Sequence, residues 1–526
     1  MTDVHRLYDV LDAAAEATPD APALSVDGTT WSFQELRARA DALSAFLSAR
    51  CSPGARVALL AHNRLEYVAA YYGVPRDGRI LVPLNQRLHA REWAEQIVRC
   101  GAELVLGEPD LLDRLAAEGD LPPLHDIAGL PSDAPPPERE AESDPADVAW
   151  LMFTSGTTGR PKGVRLTHRS LLAGIRVTAS GRPVQQGDVF CTPFPLCHVA
   201  GYQVLLHHLY GRHAVVMRRY TPSALVEAAR RHGVTNLSLA PTMLEDLLAH
   251  LSDAPEALDT LRGSLRMIGY GSAPIPVPLL RRTDEMLGCG LNQGYGMTEL
   301  SGNATFLSPA DHRAAITTRP ELAASAGRPP EGVEIAVVAA DGTRRPPGGT
   351  GEVIVKSAQV ADGYWEDPEA TAESLTGGWF RTGDAGRIDA DGYLHLVDRV
   401  KDVIITGGEN VSSREVEDVL RTVPGVGEVA VIGLPDPRWG QTVCAVIVPD
   451  GARPSEDDLR AACRARLAGF KTPRRIEYAG ALPRTATGKI RKATLRAGYT
   501  NDGPESDNPV SDCFVTNEEL GVELPG

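Results

Sequence analysis

Long apolar runs are missing: no stretch of the 526 residues reaches the ~18 apolar positions that a membrane-crossing helix needs, and mean hydropathy is −0.17. The first residues, Met1-Thr2-Asp3-Val4-His5-Arg6, do not have the basic-then-apolar layout of a secretory leader. Cysteine is sparse. Eight residues are scattered from Cys51 to Cys513 with no Cys-x-x-Cys pair, which speaks against a zinc knuckle or a disulfide framework and for a reducing cytoplasm. Positive charge is in deficit: 53 Lys and Arg against 69 Asp and Glu give a net charge of −16, so neither nucleic acid nor an anionic membrane is an expected partner. One anionic ligand is still compatible with that charge, because a few aimed backbone amides and a single lysine hold a phosphate. Part of the excess is local. Residues 501–526 carry seven acids and no Lys or Arg, and this Asn-, Ser-, Gly- and Pro-containing stretch reads as a disordered, solubilising tail. There is no Gly-x-Ser-x-Gly elbow, no Walker A loop and no carrier-protein Leu-Gly-Gly-His/Asp-Ser motif.

The chain is too long for one compact core, so at least two domains are expected. Ser32-Phe33-Gln34-Glu35 reads as a capping box, and Leu36, Ala40, Leu43 and Leu47 form one apolar helical stripe behind it. Residues 56–61 (RVALLA) read as a buried strand. Alternation of this kind predicts a layered α/β domain. The proline-rich, acidic segment 131–147 marks an exposed connector. A buried strand from Val148 to Phe153 follows and runs straight into a Gly/Thr/Ser loop. From Gly332 to Ser357 the pattern is β-rich, with a turn at Asp341-Gly342. A smaller α+β unit begins near Asp398, with helices opening at Ser412 and Ser455 and strands at 429–433, 443–448 and 475–478.

The chemistry starts at Thr154-Ser155-Gly156-Thr157-Thr158-Gly159-Arg160-Pro161-Lys162-Gly163. Glycines let the backbone approach an anion, successive amides and the hydroxyls of Ser155, Thr157 and Thr158 supply donors, and Lys162 supplies charge. This segment resembles the phosphate loop of the adenylate-forming superfamily, which includes acyl-CoA synthetases, peptide-synthetase adenylation domains and luciferase. The other signature segments of that family follow in order: Asn292-Gln293-Gly294-Tyr295-Gly296-Met297-Thr298-Glu299, Gly363-Tyr364-Trp365, residues 379–384 (WFRTGD), residues 398–402 (DRVKD), residues 407–410 (GGEN) and residues 483–489 (PRTATGK). The likeness spans roughly residues 20–495.

What the resemblance implies is specific. The fold is α/β: a large N-terminal domain of layered α/β subdomains with a β-rich subdomain (1–399), a small mobile α+β C-terminal domain (400–498) hinged at Lys401, and a tail (499–526). Glu299 corresponds to the family's Mg²⁺ carboxylate, a hard oxygen ligand suited to that ion. Thr298 is expected at the α-phosphate. Asp384 resembles the carboxylate that grips both ribose hydroxyls, and Arg399 the arginine beside it. Tyr295 with Gly271-Ser272-Ala273 resembles the adenine slot. Lys489 is expected to bridge the substrate carboxylate and the ATP phosphate, where a cation eases the meeting of two anions. The Gly407-Gly408-Glu409-Asn410 loop is presented in the thiol-accepting pose.

Residues 195–201 (PLCHVAG) align with the acyl-pocket motif. Amino-acid-activating relatives carry an Asp there; this chain has Leu196-Cys197-His198, and a buried ammonium without a carboxylate is costly. An acid without an α-amino group is therefore expected. His198 resembles the gating histidine of acyl- and aryl-CoA synthetases, a role compatible with a packed neutral imidazole. Tyr202, Tyr270, Met243, Met297 and Leu300 are candidates to line a pocket for a short or aromatic acid. Trp439-Gly440 and Phe470-Lys471-Thr472-Pro473 look like segments near the coenzyme A site. The leading reading is thus ATP-dependent activation of a small carboxylic acid with pyrophosphate release and transfer to coenzyme A, by a monomer or homodimer. One alternative keeps the adenylation but passes the product, even one made from nitrite, to a carrier protein or an amine. A second, a non-catalytic nucleotide sensor, predicts erosion at Lys489, Glu299 or Asp384, and all three are present.

Overall fold

The computed structural model describes residues 4–131, 143–154, 161–271, 275–399, 402–406, 409–437, 439–467, 469–484 and 488–500. The chain falls into two compact units. One comprises Met1–Ala336, Ile354–Thr382 and Ile388–His395, the other Val337–Val353, Gly383–Arg387 and Leu396–Gly526.

In the first unit, β1 (Pro22–Val26) and β2 (Thr29–Ser32) form a hairpin that leads into helix Phe33–Ser48. The capping box predicted from sequence is formed: Ser32 Oγ accepts from the Glu35 N–H, and the Glu35 carboxylate accepts from the Ser32 N–H. Leu36, Ala40, Leu43 and Leu47 are all buried. Then come β3 (Arg56–Leu60), β4 (Ile80–Pro83), β5 (Ala102–Gly107), β6 (Leu124–Asp126), β7 (Val148–Thr154) and β8 (Lys162–Thr167), in the spatial order β6-β5-β3-β4-β7-β8. The strands of this sheet pair in parallel, except that β8 returns antiparallel to β7. A second sheet is built on β1 and β2 by β9 (Val189–Thr192), β10 (His213–Val216), β11 (Asn236–Leu239), β12 (Met267–Gly271), β13 (Gly290–Met297) and β14 (Gly302–Leu307), in the order β14-β13-β12-β11-β9-β10-β1-β2. Its central strands are short apolar runs, as expected of parallel strands covered on both faces. A single core holds Trp150, Tyr67, Tyr71, Tyr72, Tyr202 and Phe190, all at most 2% exposed.

Residues 333–399 give a third sheet, β15 (Val333–Val338), β16 (Gly351–Ser357), β17 (Leu375–Thr376), β18 (Trp379–Ile388) and β19 (Leu394–Arg399). The remainder of the second unit has β20 (Ile404–Thr406), β21 (Glu409–Val411), β22 (Val426–Asp436), β23 (Gly440–Pro449) and β24 (Arg475–Tyr478), with helices Ser413–Leu420, Glu456–Arg466 and Lys492–Thr500. Ser412 and Ser455 cap the first two of those helices, as expected.

The connector reading needs one correction. Residues 132–142 lie outside the described residues, but Ser143 is buried at 7% exposure, with its hydroxyl 3.4 Å from that of Tyr8. Ser143 is thus packed, while Asp144, Ala146 and Asp147 after it are exposed, as expected of a connector. The 501–526 tail also lies outside the described residues.

Five of the buried histidines set an acid limit. Burial lowers the imidazole pKa of His168, His207, His213 and His312 to about 4 and that of His208 to about 3. They stay neutral in the fold, while the unfolded chain binds protons on them below about pH 6.5. The unfolded state then holds more protons, so stability is full above pH 6.5 and falls as the pH drops toward 4. Thermal melts across pH 4–7.5 should show the midpoint falling through this window. His208→Gln should flatten the slope by about one proton, provided that its own loss of packing is read at pH 7.5.

Candidate active site

β7 and β8 form a hairpin in which Thr154 lies opposite Lys162 and Phe153 opposite Gly163. Thr154 and Lys162 therefore stand at the two ends of the phosphate-loop segment. Ser155, Gly156, Thr157, Thr158 and Gly159, within that segment, lie outside the described residues, as do Ser272 and Ala273. Segment 361–365 runs beside β8. The Trp365 N–H donates to Gly163 O at 2.7 Å, the Arg165 N–H to Gly363 O at 2.9 Å and the Asp362 N–H to Arg165 O at 3.0 Å. Arg165 also pairs with Asp362 at 2.7 Å.

The same segment holds the Thr-Glu motif. The Ala361 N–H donates to Glu299 O at 2.8 Å, and the Tyr364 hydroxyl donates to Glu299 Oε1 at 3.3 Å. The Lys162 ammonium lies 5.0 Å from the centre of the Tyr364 ring. Burial and the adjacent Glu299 carboxylate raise the Tyr364 phenol pKa, which keeps it a donor. Lys162, Tyr364 and Glu299 thus form one polar group at the loop's exit. Thr298 and Glu299 are half-buried in a single 3₁₀ turn that ends β13. The chain then reverses through Ser301, at a left-handed φ of 49°, into β14. Glycine at 296 is dictated by that reversal, since a Cβ there would lie 1.9 Å from Gly302 O.

Tyr295 is 9% exposed, and Gly271, the last residue of β12, is in register with Gly294. Asn292 is placed otherwise. At 1% exposure it donates to Gly181 O and accepts from Arg182, so its side chain braces the fold beneath the site. The Gln293 amide oxygen accepts from Tyr270 at 3.4 Å. Tyr270 is also bonded to His312 and Tyr202 to Thr178 and Asn303, so both hydroxyls are committed within the core.

His198 is half-buried, just before a 3₁₀ turn and helix Tyr202–Leu209. Two residues that carry no motif hold its loop. Buried Asn63 donates to Phe194 O at 2.9 Å and Met217 O at 2.8 Å, and accepts from the Leu196 N–H at 2.8 Å. The Tyr71 hydroxyl donates to Leu196 O. The one available sequence signal was Asn63 sitting just past the apolar run of β3.

In the second unit, Asp384 is 7% exposed within β18, a strand position rather than a surface turn. Lys489 is exposed, next to Ile490, which bridges Arg484. Arg399 ends β19. Lys401 and Gly408 lie outside the described residues, and Glu409 and Asn410 belong to β21.

The AMP-binding enzyme family model matches residues 11–365, and that of the AMP-binding enzyme C-terminal domain matches residues 415–489. The chain belongs to the AMP-binding enzyme family. It is 38% identical to the feruloyl-CoA synthase of an Amycolatopsis species, over 92% of this chain and 97% of that one. It is 36% identical to a long-chain-fatty-acid–CoA ligase of Mycobacterium tuberculosis, over 89% and 92%. Among solved structures, the o-succinylbenzoate coenzyme A synthetase of Bacillus subtilis in complex with AMP superposes with a TM-score of 0.83 at 31% identity, covering 95% of this chain and 99% of that one. The same enzyme with ATP and magnesium ion gives 0.82, again at 31% identity and over 94% and 99% of the two chains.

Asn63→Ala should raise the KM for the acid roughly tenfold while moving that for ATP far less, because it frees the His198 loop and not the phosphate hairpin. Steady-state kinetics with each substrate varied in turn reads this. Equal effects on both would show general unfolding instead.

Proposed function

We propose that this protein activates a small aromatic or short-chain carboxylic acid as its acyl-AMP and passes the acyl group to the thiol of coenzyme A. The observation that carries the reading is the Lys162–Tyr364–Glu299 group at the exit of the phosphate hairpin, in a chain of the AMP-binding enzyme family. In the first step a carboxylate oxygen attacks the α-phosphorus of ATP, the bond to the β-phosphate oxygen breaks, and pyrophosphate leaves. In the second the thiol adds to the acyl carbon, AMP departs with the bonding pair, and the thiol proton passes to solvent.

Glu299 would hold Mg²⁺, which when bound neutralises phosphate charge. Its donor type fits, because one half-buried carboxylate leaves the other positions to water and phosphate oxygens, as that ion prefers. No group of three His, Cys, Asp or Glu side chains that could form a metal cage occurs among the described residues. Tyr364 fixes the orientation of the carboxylate. Lys162 and Thr298 offer a cation and a donor to phosphate oxygens, and Asp384 and Arg399 are assigned to the ribose. Lys489 is assigned the cationic role between carboxylate and phosphate, with Lys401 as the hinge of a C-terminal domain running over 400–498.

Support for the acceptor comes from the second unit. The Arg474 guanidinium lies 4.5 Å from the centre of the Trp439 ring and donates to Thr406 Oγ1, an aromatic and cationic pairing suited to the purine and phosphates of coenzyme A. No described helix is long and apolar enough to cross a membrane, and all seven described cysteines are free, which supports a cytoplasmic setting. We take the enzyme to act as a monomer or homodimer.

The test is pyrophosphate release with MgATP across short aliphatic, aryl and cinnamate-type acids, with and without coenzyme A. One acid should give release that coenzyme A accelerates, with an acyl-CoA detected by mass. Release that is indifferent to coenzyme A would move the acceptor to a carrier protein or an amine. Lys489→Ala should slow adenylation at least ~100-fold while calorimetry still shows ATP binding. Trp439→Ala should raise the KM for coenzyme A alone, and a matching rise for ATP would refute the acceptor assignment.

A further inference from the structure

Arg182 is 9% exposed, and burial lowers the pKa of its guanidinium. Its partners are neutral: Nε donates to Asn292 Oδ1, Nη1 to Gln203 Oε1 and Nη2 to Asn292 O, each at 3.2 Å. Three of the five N–H groups are thereby used, and no carboxylate among the described residues reaches it. A buried cation without a counter-charge is expensive, and a brace between a helix and a strand would need only an amide.

Its place ties it to the acid side of the site. Gln203 lies on helix Tyr202–Leu209, just beyond His198, and Asn292 lies on β13, which ends at Thr298 and Glu299. The guanidinium rests on Gly269, where a Cβ would lie 2.2 Å from Nη1, so the glycine makes the room it occupies. Gly269 is in register with Asn292, and Gly271 with Gly294, so these four residues share one face of the sheet. Gly269 is two residues back from Gly271 along β12, about 7 Å at ~3.3 Å per residue. A single aromatic ring spans that length. A small cavity adjoins the guanidinium, lined by Arg182, Phe190, Gln203, His207, Asn236 and Gly269 among others, and the buried Asn236 Oδ1 has no hydrogen-bond partner.

We propose that Arg182, with Gln203, is the far wall of the acid pocket and takes a second oxygen of the substrate, so that the preferred acid carries a hydrogen-bond-accepting oxygen at the end remote from its activated carboxylate. A ring hydroxyl and a second carboxylate share this chemistry. The inference rests on the acid-activation reading and adds the substrate's distal group.

The experiment compares kcat/KM for matched pairs, 4-hydroxycinnamate against cinnamate and a dicarboxylate against its monoacid, in the wild-type enzyme, Arg182→Met and Arg182→Lys. The wild-type enzyme should favour the oxygen-bearing member of at least one pair roughly 10–100-fold. Arg182→Met should collapse that ratio to near unity, and Arg182→Lys should keep part of it. Which pair responds tells hydroxyl from carboxylate. Thermal melts confirm folding. Should Arg182→Met fail to fold, Gly269→Ala, which displaces the guanidinium and keeps its charge, should lower the same ratio. Ratios near unity in the wild-type enzyme, or a ratio untouched by Arg182→Met, overturn the proposal. If no acid at all triggers pyrophosphate release, the activation reading itself fails, and this inference with it.

Discussion

The site depends on one stretch of backbone pairing. Segment 361–365 bonds to β8 through Gly163 and Arg165 on one side and to Glu299 O on the other. Two loops far apart in sequence, the exit of the phosphate hairpin and the turn that ends β13, are thus fixed to the same five residues. Backbone hydrogen bonds suit this task because their geometry is set by the chain and tolerates little drift. The side chains then need only short reaches: Tyr364 to Glu299, and Lys162 to the Tyr364 ring. A phenol that donates to the carboxylate fixes its direction without neutralising it.

The rest of the first unit aims strand ends at that group. In parallel sheets ligands collect beyond the carboxyl ends of the strands. Asn63, just past the end of β3, joins Met217, just past the end of β10, to the loop carrying His198. One amide buried at 4% exposure satisfies three backbone groups and so couples strands of two different sheets. Removing it would strand a donor and two acceptors in the core, a greater loss than the bonds alone.

Much of this was legible in the sequence because it is local. The Ser32 cap, the β7 run into the phosphate loop and the Thr-Glu turn each follow from neighbouring residues, and the motif order carried the family. What was not legible is what distant residues do to one another. Nothing in its neighbours marks Asn63 as the clamp of a loop 130 residues away. Tyr364 was visible as part of a motif but not as the donor to Glu299, because a hydroxyl has no periodicity. Asn292, part of the signature segment that ends at Glu299, spends its side chain on Arg182 and Gly181 O, contacts to residues about 110 positions away that its neighbours do not reveal. Ser143 is buried within an otherwise exposed connector because composition reports a segment's average and not the packing of one residue against Tyr8.

Arg182 and Glu299 pose the same question from opposite signs. Arg182 donates to neutral amide and carbonyl oxygens, and Glu299 accepts from the Tyr364 phenol. For Glu299 the proposed magnesium and phosphates would offset the cost of partial burial. By the same reasoning a guanidinium more deeply buried than Glu299, over a glycine that makes room for it, is out of balance until an electron-rich oxygen is brought to it. A charge kept where replacement by a hydrophobic residue would often be neutral or stabilising is better explained by what binds than by what folds.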